Sequence, residues 1–596
     1  MSYKAPVADQ LFLLRDVLEI DALSNVPGFA EAGPDVIEQI VTEGARFAEN
    51  VLAPLNRVGD KEGCAWSPDF TVKTPSGFKE AYAQLVESGF PSLSSAPDYG
   101  GQGLPTIVGA PYSEASSSAN MAFAMYPGLT HGNYSAILEG GTQAQKNLYL
   151  PKLATGQWCG TMNLTEPHCG TDLGLLRTKA VPQGDGSYKI TGQKIWISGG
   201  EHDMAENIVH LVLARIEGAP AGVKGISLFI VPKFLPTADG GVGPRNEGVK
   251  CSGLEEKMGI HGNATCFMSY DEATGYLIGE AHAGLKIMFV MMNEARLYVG
   301  LQGLSQGEAA YQAAVDFAKD RLQGRSLTGP KNPDGPADPI IVHPDVRRML
   351  MDSRALLEGG RALLYWAMLQ ADLEHLHPDE AVREKAADLV GLLTPVTKAY
   401  LTDKGFAVAS EAMQIHGGSG FTEHFPVSQN LRDSRIAMIY EGTNGVQALD
   451  LVGRKLASKG GRAVMAFFAE IDAFAADNSA DEALKPYVET LLKAKARLQE
   501  ATSWLMQNGL ANPDNAGAAS HDYLHLFALA GTAYMWARMA KAANAKVRAG
   551  DSNPFYANKL ITGRHFIERI APEGSAHLAK LKSGSATMMS FPVEAF

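Results

Sequence analysis

Ser187-Tyr188-Lys189-Ile190 and, after three residues, Lys194-Ile195-Trp196-Ile197-Ser198 are β-rich stretches in a chain that otherwise reads as helix. Asp185-Gly186 just before them is a hairpin signal. Ile208 to Leu213 and Ile226 to Val231 are short apolar runs rich in branched residues. Strands about ten residues apart, with turn signals between them, predict a compact β domain over 158–281.

The flanks of that domain have a different texture. Residues 1–33 are amphipathic and read as an N-terminal extension. In the N-terminal α domain, 34–157, apolar residues recur at three and four from Pro34 to about Leu55. The Gly/Pro-rich loop around Pro97 to Gly103 follows, then helices over Val108 to Met125 and Gln143 to Leu153. Residues 282–455 predict a helical bundle with long helices at Leu285 to Arg321, Asp345 to Leu373 and Pro378 to Gln414. Gly300, Gly303 and Gly307 point to close helix packing despite their propensity cost. An additional helical domain, 456–596, is Ala-rich from Phe467 to Lys582, with loops expected at Asn512 to Ser520 and Asp551 to Pro554. The fold class is therefore α+β, in the order α, β, α, α.

Composition narrows the function. With 596 residues, 45% hydrophobic and 20% charged, the chain has the make-up of a multi-part globular protein. A net charge of -13 argues against general nucleic-acid binding. Residues 456–596 hold fifteen Lys plus Arg against thirteen Asp plus Glu, so they form no basic arm. Five cysteines without CxxC spacing argue for a reduced compartment with neither disulfides nor a metal site. Neither a signal pattern nor an apolar run of membrane-spanning length is present, and a cytoplasmic location is expected.

Ile439-Tyr440-Glu441-Gly442-Thr443-Asn444-Gly445-Val446-Gln447 is where the chemistry is expected. Glu441 follows an uncharged apolar approach and precedes a turn. Thr443 and Asn444 are good N-cap residues, and Asn-x-x-Gln reads as a variant capping box. The unpaired N–H groups of a helix start suit a cofactor oxygen or phosphate.

Four motifs make a resemblance specific. Leu164-Thr165-Glu166-Pro167-His168-Cys169-Gly170-Thr171-Asp172, Gly192 to Ser198, Gln414-Ile415-His416-Gly417-Gly418-Ser419-Gly420-Phe421 and Tyr440 to Thr443 resemble, in order, signatures of the acyl-CoA dehydrogenase family. The resemblance implies an FAD-dependent α,β-desaturation of an acyl-CoA thioester, with Glu441 taking the α-proton and the flavin the β-hydride. It implies Leu164 and Thr165 against the flavin ring, Gly170 and Thr171 at the pyrophosphate, and Trp196 and Ser198 at the ring edge. Arg321 and Gln323, with Gln414, Gly417 and Gly418, would reach the ADP part from a neighbouring subunit, so a homodimer or a dimer of dimers is implied. Thr443 would close the site, and Arg296, Tyr440 and Gly442 would contact substrate. Electron-transfer flavoprotein is the family's usual acceptor.

Some members take their base from an earlier helix. Here that position is Ala295, and Glu294 lies one step off, about 100° around the helix. The sequence around Arg321 also departs from the usual Arg-x-x-Phe-Gly, running on as Leu322-Gln323-Gly324-Arg325. The long form resembles a bacterial subfamily, which implies 3-(methylthio)propanoyl-CoA as substrate in dimethylsulfoniopropionate catabolism. The alternatives are short- or medium-chain acyl-CoA dehydrogenation in β-oxidation, or an oxygen-using acyl-CoA oxidase.

Overall fold

The computed structural model describes residues 3–596, and no helix among them is long and apolar enough to cross a membrane. The chain forms two compact units, residues 42–298 and residues 3–41 with 299–596. Six helices precede the main sheet: α1 (Val7–Phe12), α2 (Pro34–Phe47), α3 (Ala53–Glu62), α4 (Phe78–Ser88), α5 (Thr106–Gly140) and α6 (Gln143–Ala154). Among them is a small hairpin, β1 (Ala65–Trp66) and β2 (Val72–Lys73).

The β domain comprises β3 (Trp158–Asn163), β4 (Lys179–Pro182), β5 (Tyr188–Ser198), β6 (Asn207–Ile216), β7 (Ile226–Pro232), β8 (Phe234–Pro236), β9 (Val242–Arg245), β10 (Val249–Leu254) and β11 (Thr265–Ile278). Strands β11, β5, β4, β6 and β7 pair in sequence and return to β11, closing a ring, with β10 on β11 and β3 on β6. The expected hairpin is present, joining β4 to β5 through residues 183–187. Strand β6 reads as one apolar run because both of its faces are buried. Val209, Leu211 and Leu213 pack with Ile137, Leu150 and Leu153 of α5 and α6, whereas Val212 and Ala214 join Ile190, Phe229 and Cys266.

After the sheet come α7 (Gly284–Asp320), α8 (Pro344–Leu376), α9 (Glu380–His416), α10 (Val427–Arg435) and α11 (Asn444–Asp450). The glycines of α7 do bring helices together. A Cβ on Gly303 would lie 2.6 Å from the Leu401 carbonyl oxygen of α9, and one on Gly405 only 1.9 Å from the Gly303 oxygen. The last region holds α12 (Arg462–Asn478), α13 (Lys485–Ala511), α14 (Pro513–Arg548), α15 (Pro554–His565) and α16 (Glu573–Lys582).

One expectation changes. Residues 512–520 are no loop: Asn512 accepts from the Asp514 N–H and Pro513 takes the first helical position, so α14 starts where turn-forming residues suggested a gap. Further, the amphipathic N-terminal segment is tied to the helical unit by buried charges. Asp9 meets Arg361 at 2.6 Å and also Lys559; Arg361 reaches Glu308 at 2.8 Å, and Lys559 reaches Glu358 at 2.7 Å. Burial pushes the Asp9 carboxyl up, but Lys559 and Arg361 outweigh it and hold it below its usual value.

Candidate active site

Within residues 42–298, the turn after β3 is organised by Glu166. Its buried carboxylate accepts from the Arg177 N–H (2.7 Å), the Thr178 N–H (3.0 Å), the Thr178 hydroxyl (2.6 Å) and Lys194 Nζ (2.9 Å). Lys194 also donates to the Leu164 carbonyl at 2.9 Å, and the Ile195 N–H donates to the Thr165 carbonyl at 3.0 Å. Burial raises the Glu166 carboxyl, and Lys194 and these donors more than reverse the effect, holding it low. Burial likewise pushes the Lys194 ammonium down, to about 8. The pair stitches the 164–172 turn to β5; Leu164 is buried, Thr165 half-buried, and Gly170 and Thr171 are exposed.

A β-bulge then sets Trp196. Lys194 pairs with Met268 and Ile197 with Cys266, so Ile195 and Trp196 together oppose Phe267. Bulges re-aim side chains. Trp196 takes φ +60°, a region costly for a non-glycine residue, and the residue is 60% exposed. Ser198, two residues on, is half-buried. In the same unit, Glu294 lies 3.8 Å from His131, whose imidazole burial drives down to about 4 and hence keeps neutral. Arg296, half-buried, reaches Asn293 at 3.4 Å.

In the other unit, Glu441 and Gly442 have φ values of +58° and +82°. Two consecutive left-handed residues make a sharp turn, and a Cβ on Gly442 would lie 2.7 Å from Gln447 Nε2. The helix after it is capped by Thr443, whose hydroxyl accepts from the Val446 N–H at 3.2 Å. The expected Asn444–Gln447 capping box does not form. Gln447 instead donates to the carbonyls of Glu441 (3.0 Å) and Gly442 (3.3 Å), while the Asn444 amide turns toward α9. Lys398, buried in α9, donates to the Gly442 carbonyl and to Asn444 Oδ1, both at 2.9 Å. Tyr440 donates its hydroxyl to Gln302; burial and then the neighbouring Glu441 charge raise the phenol well above its ordinary range.

Also in this unit, Phe317 of α7 stacks on His416 of α9 with centroids 4.3 Å apart. This places the exposed Arg321 and Gln323 at the same end of the bundle as the exposed Gln414, Gly417 and Gly418. Arg325 has a structural part instead. With the N–H groups of Ser326, Lys331 and Asn332 it satisfies buried Asp338, holding that carboxyl down at about 2 and fixing the Pro/Gly loop.

The sequence alone assigned no role to Lys194 or Lys398, and gave Gln447 a place in a capping box rather than on the Glu441 and Gly442 carbonyls. Lys194 lies inside the Gly192 to Ser198 motif. Lys398 had a weaker signal: a single cation in the apolar stretch Leu392 to Leu401, where an unpaired charge would be costly.

A helical block, a closed β ring, a helical bundle and a further helical region define a four-part architecture, and comparison with known proteins identifies it. Family models for the acyl-CoA dehydrogenase N-terminal, middle and C-terminal domains match residues 35–157, 161–273 and 282–456, and a model described as acetyl-CoA dehydrogenase C-terminal like matches 467–592. The chain is 42% identical to a 3-methylmercaptopropionyl-CoA dehydrogenase of Ruegeria pomeroyi, across 99% of this chain and 100% of that one. It is 34% identical to a butyryl-CoA dehydrogenase of Syntrophomonas wolfei, across 100% and 99%. An acyl-CoA dehydrogenase from Bacillus anthracis, solved with FAD, shares the fold at TM-score 0.74 and 22% identity over 92% of this chain and 88% of that one. The chain belongs to the acyl-CoA dehydrogenase family.

Proposed function

We propose that the chain desaturates an acyl-CoA thioester between Cα and Cβ, with 3-(methylthio)propanoyl-CoA as substrate and 3-(methylthio)acryloyl-CoA as product, in dimethylsulfoniopropionate catabolism. The full-length similarity to a relative named for that substrate supports the choice. The similarity to a butyryl-CoA dehydrogenase favours a straight short-chain thioester as the second reading.

The residues present suit a flavin. Trp196, set on a bulge and 60% exposed, offers an apolar plane, and the exposed Gly170-Thr171 turn of the same unit offers N–H and hydroxyl groups. Leu164, Thr165, Gly170, Thr171, Trp196 and Ser198 would hold the ring and pyrophosphate. Arg321, Gln323, Gln414, Gly417 and Gly418 would hold the ADP part, with the two sets drawn from two copies in a homodimer. Bound FAD would supply the acceptor for the hydride leaving Cβ.

Glu441 takes the α-proton. A carboxylate is a weak base for a carbon acid in water, so its work depends on exclusion of solvent and on a fixed direction of approach. The pinned left-handed turn beneath Glu441 is the observation that carries this assignment. The Glu441 N–H would help stabilise the enolate-like thioester oxygen, Thr443 would close the site, and Arg296, Tyr440 and Gly442 would border the substrate. Electron-transfer flavoprotein, or another acceptor, would reoxidise the cofactor.

Anaerobic titration with a CoA-thioester panel tests the reading. Flavin bleaching by 3-(methylthio)propanoyl-CoA far faster than by butanoyl- or octanoyl-CoA is expected. Equal rates would indicate a generalist, and rapid aerobic reoxidation with peroxide release would indicate an oxidase.

A further inference from the structure

Asn444 is the first residue of α11, three positions after Glu441, and its amide is held from both ends. Its Oδ1 accepts from Lys398 Nζ at 2.9 Å, the same ammonium that binds the Gly442 carbonyl. Its Nδ2 donates to Asp403 Oδ1 at 2.7 Å, and the other Asp403 oxygen, Oδ2, pairs with His525 Nε2 at 3.1 Å. His525 belongs to α14, in the region beyond residue 456. There it is buried, crossed edge-on by Tyr400 and stacked on His577 of α16, itself anchored to Asp522 at 2.7 Å. An unbroken set of hydrogen bonds therefore runs from the C-terminal helices to the carbonyl beside Glu441.

We infer that His525 and Asp403 are positioning residues for the desaturation. Through Asn444 and Lys398 they hold the Glu441–Gly442 turn, so the C-terminal helical region helps to aim the base although it touches no reactant. This rests on the reading of Glu441 as base.

The physical case is one of strain and restraint. A glutamate at φ +58° persists only where its surroundings over-determine it. Gln447 supplies one restraint from within α11, and Lys398 supplies another from α9. Lys398 can address the Gly442 carbonyl and Asn444 together only while Asn444 is oriented. Asp403 is the charged and nearest of the three acceptors that orient it, at 2.7 Å against 3.0 Å for the Thr402 hydroxyl and 3.2 Å for the Ala399 carbonyl. Asp403 also carries a carboxylate into a packed helix interface, where the His525 N–H occupies its second oxygen. A displacement of about 1 Å at a reacting group can cost about 100-fold in rate.

The test uses the FAD-loaded enzyme and anaerobic stopped-flow reduction by 3-(methylthio)propanoyl-CoA and butanoyl-CoA. D403A and H525A are expected to lower the limiting rate of flavin reduction about 10- to 100-fold. Thioester affinity and FAD content should stay within about 2-fold, and amide exchange over residues 439–446 should accelerate. In H525Q, whose amide N–H can replace that of the imidazole, most of the rate should return. Y523F, at a residue on the same α14, removes a buried hydrogen bond to Thr502 of α13 and should leave the rate unchanged. If D403A does not fold, D403N and the two His525 variants carry the test. The inference is overturned if D403A and H525A reduce flavin at the parental rate, or if Y523F and H525Q lose as much as H525A. E441Q, run in parallel, separates the two readings. If it reduces flavin normally, the base lies elsewhere, while the exchange data still report whether the turn is held.

Discussion

Two glutamates in this chain lie in short motifs of similar visibility, and the structure treats them in opposite ways. Glu166 is buried, with four donors on its side-chain oxygens, all from its own strand region. At Glu441 it is the backbone that is pinned, by Gln447 at its carbonyl and by Gln447 and Lys398 at the next, with the residue itself held left-handed. Donors gathered on a carboxylate build a turn around a side chain. Donors gathered on the Glu441 and Gly442 carbonyls fix instead the main chain that carries one.

The comparison is broken most directly by Glu441→Gln, which keeps shape and removes the proposed base. Flavin reduction by substrate should fall by about 1,000-fold, within the range for loss of general-base catalysis, with FAD retained. Glu166→Ala should do the reverse. It leaves buried Lys194 without its charge partner, so a destabilisation of about 3–5 kcal/mol and poor FAD retention are expected, read by thermal unfolding and by flavin absorbance. Lys398→Met should resemble a mild Glu441 variant. Its limiting rate should drop about 10- to 100-fold from a displaced turn, with stability reduced by about 1 kcal/mol for the lost hydrogen bond, since Gln447 still donates to the Gly442 carbonyl. Trp196→Phe should weaken FAD retention only a few-fold, since a smaller ring keeps part of the apolar plane.

Acid sharpens the contrast at the level of the whole 42–298 unit. Burial pushes His202 and His210 down to about 3 and His131 to about 4. Their folded values lie below the unfolded 6.5, so the unfolded chain binds protons first. Stability is complete above pH 6.5 and is lost as pH falls toward 3. Thermal unfolding of the 42–298 region should therefore drop by several degrees between about pH 6.5 and pH 4. The low carboxyl of Glu166 adds its own loss only below its ordinary value of 4.5. A midpoint flat from pH 7 to pH 4 would show that these imidazoles are not buried neutral.

Much of this was legible in the linear chain. The β interlude, the glycine-mediated approach of α7 to α9 and the turn at Glu441 follow from local patterns that act over a few residues. The misreadings have a common cause. Asn512-Pro513 and Asn444 carry residue types that serve both turns and caps, and only the neighbouring helices decide the use. The bulge that lifts Trp196 depends on its pairing with β11, 70 residues away, and no local rule reports it.

The sequence by itself determined the order of helical and β blocks, the family and the candidate base, because periodicity and short motifs are properties of near neighbours. Tertiary structure alone decided which charges are spent in holding the fold. Asp9 finds Lys559, and Asp403 finds His525, across 550 and 122 residues. Burying an ion is tolerable only where a partner arrives from elsewhere in the chain, and that arrival is a fact of packing.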